Sequence, residues 1–227
     1  MHEAARNQPG QTQSLQPAET ESFDPAMLSH EEQYKLMVGT VVPRPIALVT
    51  TLGPLGPNAA PFSFFNAFAA DPPMIAFSVS SRDGVPKDTI RNIREMGEFV
   101  VHIVDDALKD KMNICGIEYA SEVNEIAEAG LRTAPSLKVR PPRLIECPVQ
   151  MECKLTQIVL LGRMPYEMVI GEVVLFHYRK GLVNARKHVD PALLNPLGRL
   201  AGYSGYTRIT DRFPMARLPV PPGKKSA

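Results

Sequence analysis

The 227-residue chain has no tryptophan and only three cysteines, Cys115, Cys147 and Cys153. None stands at CxxC spacing, and so odd and sparse a set suits free thiols in a reducing compartment. A structural zinc site needs paired ligands at short spacing, and none is present. Cys147 and Cys153 are expected to pack as small apolar groups in and beside a strand. Charge of one sign is lacking as well: 25 basic residues face 24 acidic ones, for a net charge of +1. A nucleic-acid binder shows a basic excess or stripe, so no nucleic-acid partner is expected. No stretch approaches the roughly 18 uninterrupted apolar residues of a membrane helix, and no membrane association is expected either. Residues 1–21 are rich in Gln, Glu, Thr and Pro without an apolar run, which argues against a secretory signal. The expected layout is a disordered tail over 1–22, one domain over 23–217 and a flexible end over 218–227, in the cytoplasm.

The usual catalytic motifs are missing too. There is no GxxxxGK[ST] loop and no GxGxxG after a strand. Gly202-Tyr203-Ser204-Gly205 brings its second glycine one residue too early for a GxSxG nucleophile elbow. No HExxH pair occurs, and the histidines His2, His30, His102, His177 and His188 are scattered. A single histidine in a strand, such as His102, is more often a structural donor than a base. Covalent and metal catalysis therefore lack candidates, and no catalytic side chain is assigned.

Proline, by contrast, is abundant, at 22 residues, about twice the average share. The prolines are dispersed through apolar segments, which suits short strands with fixed turns better than helices. Ser29 followed by Glu32 is a capping-box spacing, predicting a helix over His30–Met37 that Gly39 could end. Pro45–Thr51 reads as a strand, and the Gly- and Pro-rich turn after it sends the chain back antiparallel. Asn58–Phe65, bent at Pro61, and Met74–Ser80 read as further strands. A helix over Thr89–Met96 is expected, with Asp88 as N-cap and Gly97 as its stop. Glu98–Val104 follows as a strand, then helical stretches near Leu108–Cys115 and Val123–Ala129. Val149–Leu161 and Tyr166–Tyr178 form a long hairpin about Gly162–Pro165. From Asp190 to Arg217 only loops and one short helix are expected. This order is not a βαβ alternation. It implies a mainly β fold with short helices, an antiparallel barrel of six strands, with no repeat and no second domain.

Two stretches could carry chemistry. In the first, Ser78 to Thr89, a strand delivers Ser80 to its end, and Arg82, Lys87, Asp88 and Thr89 gather at a helix N-terminus. Unpaired helix N–H groups, basic side chains and hydroxyls can hold a phosphate there. The alternative is that Asp88 merely caps the helix while Arg82 and Lys87 are solvated. In the second, Ala59 and Ala60 leave room for a flat ring at the backbone, and Pro61 favours an edge or bulge. Taken alone, Phe62, Phe64 and Phe65 read as an aromatic core.

Taken together and in order, PRPIALVTT, NAAPFSFFN, DPP, KDTIRNI and GEFVVHIV resemble the flavin reductase-like, FMN-binding split-barrel family. The likeness is strongest over Pro43–Val104 and looser through Gly171-Glu172-Val173-Val174 and Leu197-Gly198-Arg199 to Tyr203. It implies an antiparallel Greek-key split β-barrel, a homodimer, and FMN near the subunit interface. By position, Thr50 and the segment Ala60, Pro61, Phe62 and Ser63 would flank the flavin ring, with Asn66 close by. Ser80, Arg82, Lys87, Asp88 and Thr89 would surround the phosphate, in agreement with the helix argument. Arg199 and Tyr203 would approach the flavin without an assigned role. The implied activity is hydride transfer from NAD(P)H to flavin, on small redox substrates or for a monooxygenase partner. An FMN-binding electron carrier, or a flavoprotein oxygenase without free-flavin turnover, are the alternatives.

Overall fold

In the first helix, Ser29 Oγ accepts the Glu32 N–H at 3.3 Å, while the Glu32 carboxylate takes the Ser29 N–H at 2.8 Å. This closed capping box starts α1 (His30–Thr40), which runs through Gly39 rather than ending there. A cation explains the extra turn. The buried Arg44 guanidinium donates to the carbonyls of Val38 and Val41, at 2.6 and 3.0 Å, satisfying helix-end acceptors. A third bond, to Leu200 O at 3.0 Å, ties that helix end to the far part of the chain. The computed structural model describes residues 19–81, 84–164, 166–202 and 204–221. The two expected tails lie largely outside these.

After α1 come β1 (Arg44–Pro45), β2 (Ala47–Gly53), β3 (Gly56–Phe62), β4 (Phe65–Ala70) and β5 (Pro73–Ser80). The helix α2 (Asp88–Met96) follows and ends at Gly97, whose φ of 71° is the left-handed conformation a glycine cap supplies. Next are β6 (Glu98–Ile103), α3 (Lys109–Ile114), α4 (Glu125–Glu128), and the two-residue pair β7 (Thr133–Ala134) and β8 (Arg143–Leu144). The long hairpin β9 (Val149–Leu161) and β10 (Tyr166–Tyr178) leads to α5 (Pro191–Leu194), β11 (Leu197–Arg199) and β12 (Tyr206–Arg208).

Seven strands form one antiparallel sheet in the order β3-β2-β6-β9-β10-β5-β4. Its two end strands, β3 and β4, are separated in the chain only by Ser63 and Phe64. Two residues span so little that the sheet must curl until its first and last strands meet. No ladder joins those two strands among the described residues. The result is an antiparallel split β-barrel, as expected, but with seven strands where six were read. The additional strand comes from breaking Asn58–Phe65 at Ser63 and Phe64, after which Phe65–Ala70 pairs with β5. A separate three-stranded sheet joins β1 to β11, through Arg44 and Arg199, and β11 to β12; its last two strands lie in the region expected to be loops.

Alternate residues of β2, and Ile46 just before it, face different cores. Ala47 and Val49 point into the barrel with Phe62, Phe77, Phe99 and Val169, and Ile90 and Ile93 of α2 plug one end. Ile46 and Leu48 point outward, beneath Met112, Ile126 and Leu144. Cys153 belongs to the inner core and Cys115 and Cys147 to the outer one; all three thiols are free and buried.

Candidate functional site: a two-chambered cleft on the open barrel edge

Among the described residues β3 pairs only with β2, which leaves its other edge open. The Ala59 N–H turns away from β2 towards Glu125. Two residues on, the nitrogen of Pro61 faces the same open side, where its missing hydrogen costs the ladder nothing. A cleft runs along this edge in two chambers. The larger, about 700 Å³, lies among Arg44, Pro61, Phe62, Ser63, α3 and the β11–β12 hairpin. The smaller, about 360 Å³, lies among Asn58, Ala60, Pro61, Phe62, the first turn of α2 and the segment Cys115–Tyr119. Pro61, Phe62 and Gly116 line both, so the chambers share a wall. A Cβ on Gly116 would come within 3.2 Å of Asn113 O and 3.4 Å of Pro61 Cγ, which shows how closely the helix end approaches β3 there. Each volume falls within the ~300–1,000 Å³ of small-molecule sites.

The larger chamber is cationic. Arg44, Lys109, Arg199 and Arg208 line it against Asp106 and Asp110, four positive charges to two negative. Arg199 lies over the Tyr206 ring at 4.5 Å and donates to Gly202 O at 3.1 Å. Arg208 pairs with Asp106 at 2.8 Å, and that bond holds the Asp106 carboxyl below its ordinary range. Burial, reinforced by neighbouring Arg199 and opposed by Tyr34, lowers the Arg44 pKa, although an arginine stays charged at any ordinary pH.

The smaller chamber ends at the N-terminus of α2. Lys87, not Asp88, occupies the N-cap position, and among the described residues no side chain caps this helix. This corrects the expected Asp88 cap. Asp88 is the first helical residue, and its carboxylate pairs with Arg91, one turn on. Arg91 also donates to Pro86 O at 2.6 Å and to Ser121 Oγ at 3.1 Å. With Asp88 engaged sideways, the positive end of the helix is left to the chamber.

Of the residues read from sequence, the structure brings Ala60, Pro61, Phe62, Ser63, Lys87, Asp88 and Thr89 to this cleft. Three others it places elsewhere. Thr50 is fully buried in β2, and its hydroxyl donates to Pro142 O at 2.6 Å. Asn66 Oδ1 accepts the Ala67 N–H at 2.8 Å, and the residue lines a shallow apolar hollow beside Phe68 and Met168. Ser80 ends β5, paired with Tyr166, and lines neither chamber. Arg82 and Tyr203 lie outside the described residues. Arg91, Glu125, Arg44 and Arg208 were not read as site residues. Only Arg44 carried a local signal, in the Pro43-Arg44-Pro45 stretch.

A curled antiparallel sheet whose first and last strands are joined by no ladder among the described residues defines the split-barrel class. The chain belongs to the flavin reductase-like family, whose flavin reductase like domain matches residues 38–193. It is 40% identical over 201 residues to an uncharacterized protein of Halalkalibacterium halodurans, covering 86% of this chain and 95% of that protein. It is similar to nitrilotriacetate monooxygenase component B from Bacillus cereus, with a TM-score of 0.84 and 35% identity over 88% of this chain and 100% of that one. A 2-nitrobenzoate 2-nitroreductase from Pseudomonas fluorescens gives a TM-score of 0.78 and 37% identity, covering 91% of this chain and 100% of that one. Among the described residues no helix is long and apolar enough to cross a membrane, and no cluster of His, Cys, Asp or Glu is arranged to hold a metal ion.

Proposed function

We propose that this chain is an FMN-dependent oxidoreductase that passes a hydride from NAD(P)H through the flavin to a small acceptor. One observation carries the reading: two chambers with a shared wall at Pro61, Phe62 and Gly116, the smaller ending at an uncapped helix N-terminus beside Lys87. The donor set fits FMN. Lys87 and the α2 amides suit the phosphate, while the Ala60–Ser63 edge and the cationic larger chamber suit the ring and its negative charge on reduction. A bound flavin supplies two-electron chemistry by accepting hydride at its N5. The protein's part is to bind the phosphate, keep the ring against the open backbone edge and hold cationic side chains on one side of it. The neighbours named as a monooxygenase component and a nitroreductase support a reductive role, with free flavin for a partner enzyme or an aromatic acceptor as the substrate. The same reading makes the protein a cytoplasmic homodimer, with the second copy covering the ring.

The test is a visible spectrum of the purified protein after addition of FMN, then anaerobic addition of NADH or NADPH. Binding with rapid bleaching supports the reading. FMN that binds but is bleached by neither nucleotide makes the protein an electron carrier instead.

A further inference from the structure

Glu125 carried no sequence signal, yet it lines the smaller chamber. It is only 9% exposed. Its two bonded partners from β3 are neutral: Asn58 Nδ2 donates to Oε1 at 2.8 Å, and the Ala59 N–H donates to Oε2 at 3.4 Å. On the other side of Asn58, Oδ1 accepts the hydroxyls of Thr89, at 3.2 Å, and Thr51, at 3.4 Å. Thr51 Oγ1 in turn accepts from Asn92 Nδ2 at 3.0 Å.

This chain of bonds has a direction. An ionised carboxylate only accepts, so it takes the amide NH₂ of Asn58 and leaves Oδ1 facing the two threonines. Each hydroxyl owns one proton, and that of Thr89 is committed to Asn58. Towards the chamber Thr89 therefore offers lone pairs. A phosphate entering here meets donors at Lys87, Arg91 and the helix amides. It also meets acceptors at Thr89, Glu125 and Asp88. Among the described residues Glu118, Tyr119 and Cys115 are the other titratable groups lining the chamber, and burial keeps the Cys115 thiol protonated. The Asp88 charge is compensated by Arg91. Among the described residues the Glu125 carboxylate is bonded by amides and by no cation, and of the chamber's carboxylates it is the one buried against β3. Burial first, and Asp88 in addition, already push its pKa upward.

Resting on the FMN reading, we propose that Glu125 is a positioning residue of the phosphate subsite, taking up one proton when a phosphate monoester dianion enters the smaller chamber. The proton comes from solvent, and no other bond changes. Neutral Glu125 removes one like charge from beside the phosphate, the one that no cation among the described residues compensates.

Titration calorimetry at about pH 8, in buffers of different ionisation enthalpy, reads the proton directly. At that pH the FMN phosphate, with a second pKa of about 6, is already a dianion and has no proton of its own to release. Wild type is expected to take up close to one proton with FMN and none with riboflavin. Its FMN affinity should then fall by up to about tenfold per pH unit above the Glu125 pKa. E125Q is expected to bind FMN without proton uptake, roughly tenfold more tightly at that pH, and to keep riboflavin binding, which reports an intact fold. Should E125Q not fold, the proton count of wild type decides by itself. FMN binding more tightly than riboflavin with no proton uptake overturns this inference alone, as does uptake that persists in E125Q. Equal affinity for FMN and riboflavin overturns the phosphate reading and this inference with it.

Discussion

The imidazole Nε2 of His102 accepts the backbone N–H of Leu144 at 2.9 Å. Its Nδ1 faces the Leu48 carbonyl, also at 2.9 Å, and donates to it. The ring thus joins β2 to the β7–β8 hairpin as a neutral tautomer with both nitrogens used, a structural donor and not a base. Complete burial lowers its pKa to about 4 against the opposing Leu48 bond, and the nearby Arg143 adds to the lowering. The unfolded chain, with a histidine near 6.5, binds a proton that the folded one refuses between those values. The contribution is therefore fully present above about pH 6.5 and is lost as pH falls towards 4, at most ~3 kcal/mol. Urea midpoints should drop across that window in wild type and drop less in His102→Gln. An equal pH slope in the variant would show that other groups carry it.

Gly171 of β10 stands against Phe99, which packs edge-on to Phe77 at 5.6 Å. A Cβ at Gly171 would lie 2.4 Å from Phe99 Cζ and 3.2 Å from Lys154 O. Phe99 is fully buried and has nowhere to retreat. Gly171→Ala should cost about 1–3 kcal/mol, visible as a melting temperature several degrees lower. Pairing it with Phe99→Leu should recover part of that loss.

Lys87→Ala should weaken FMN binding by roughly tenfold or more, the worth of one charge-assisted hydrogen bond. Riboflavin lacks the phosphate and should bind as before. An equal loss of both ligands would point to damage to α2 rather than to a phosphate contact.

The three thiols should be inert in the native protein. Burial, with the Glu125 charge adding to it, pushes Cys115 up to about 12. Burial also raises Cys147 and Cys153. A thiol-specific disulfide reagent should react with none of the three at neutral pH, and with all three in urea. A fast native reaction at any of them would contradict their burial.

What the sequence shows depends on how far apart the partners lie. The Ser29–Glu32 box and the Gly97 stop are local and were readable. Arg44, which carries α1 past Gly39, reaches Leu200, 156 residues away, and no pattern announces that bond. β4, with the sequence FNAFAA, has no clean alternation, and its pairing depends on β5 across a turn. β11 and β12 are three residues each among glycines and arginines, and only their neighbours make them strands. In the candidate site, Lys87–Thr89 stood out locally as a helix start and Pro61 as an edge position, whereas Ala60–Ser63 as a set came from the family resemblance. Glu125 was not, because it meets Asn58 across 67 positions. Asp88 has the residue type of a cap, but Arg91 one turn ahead competes for its carboxylate.

β2, with Ile46 just before it, is one wall with two tenants. Ala47 and Val49 serve the barrel interior while Ile46 and Leu48 serve the helices outside, and hardly any surface of that stretch is spare. Replacements can therefore retune one side without touching the other. A single inserted residue cannot. It would turn every later side chain through the wall, trading the interior set for the exterior one. Among relatives of this chain, length variation should accordingly gather at the Pro54–Leu55 tip and spare residues 46–50.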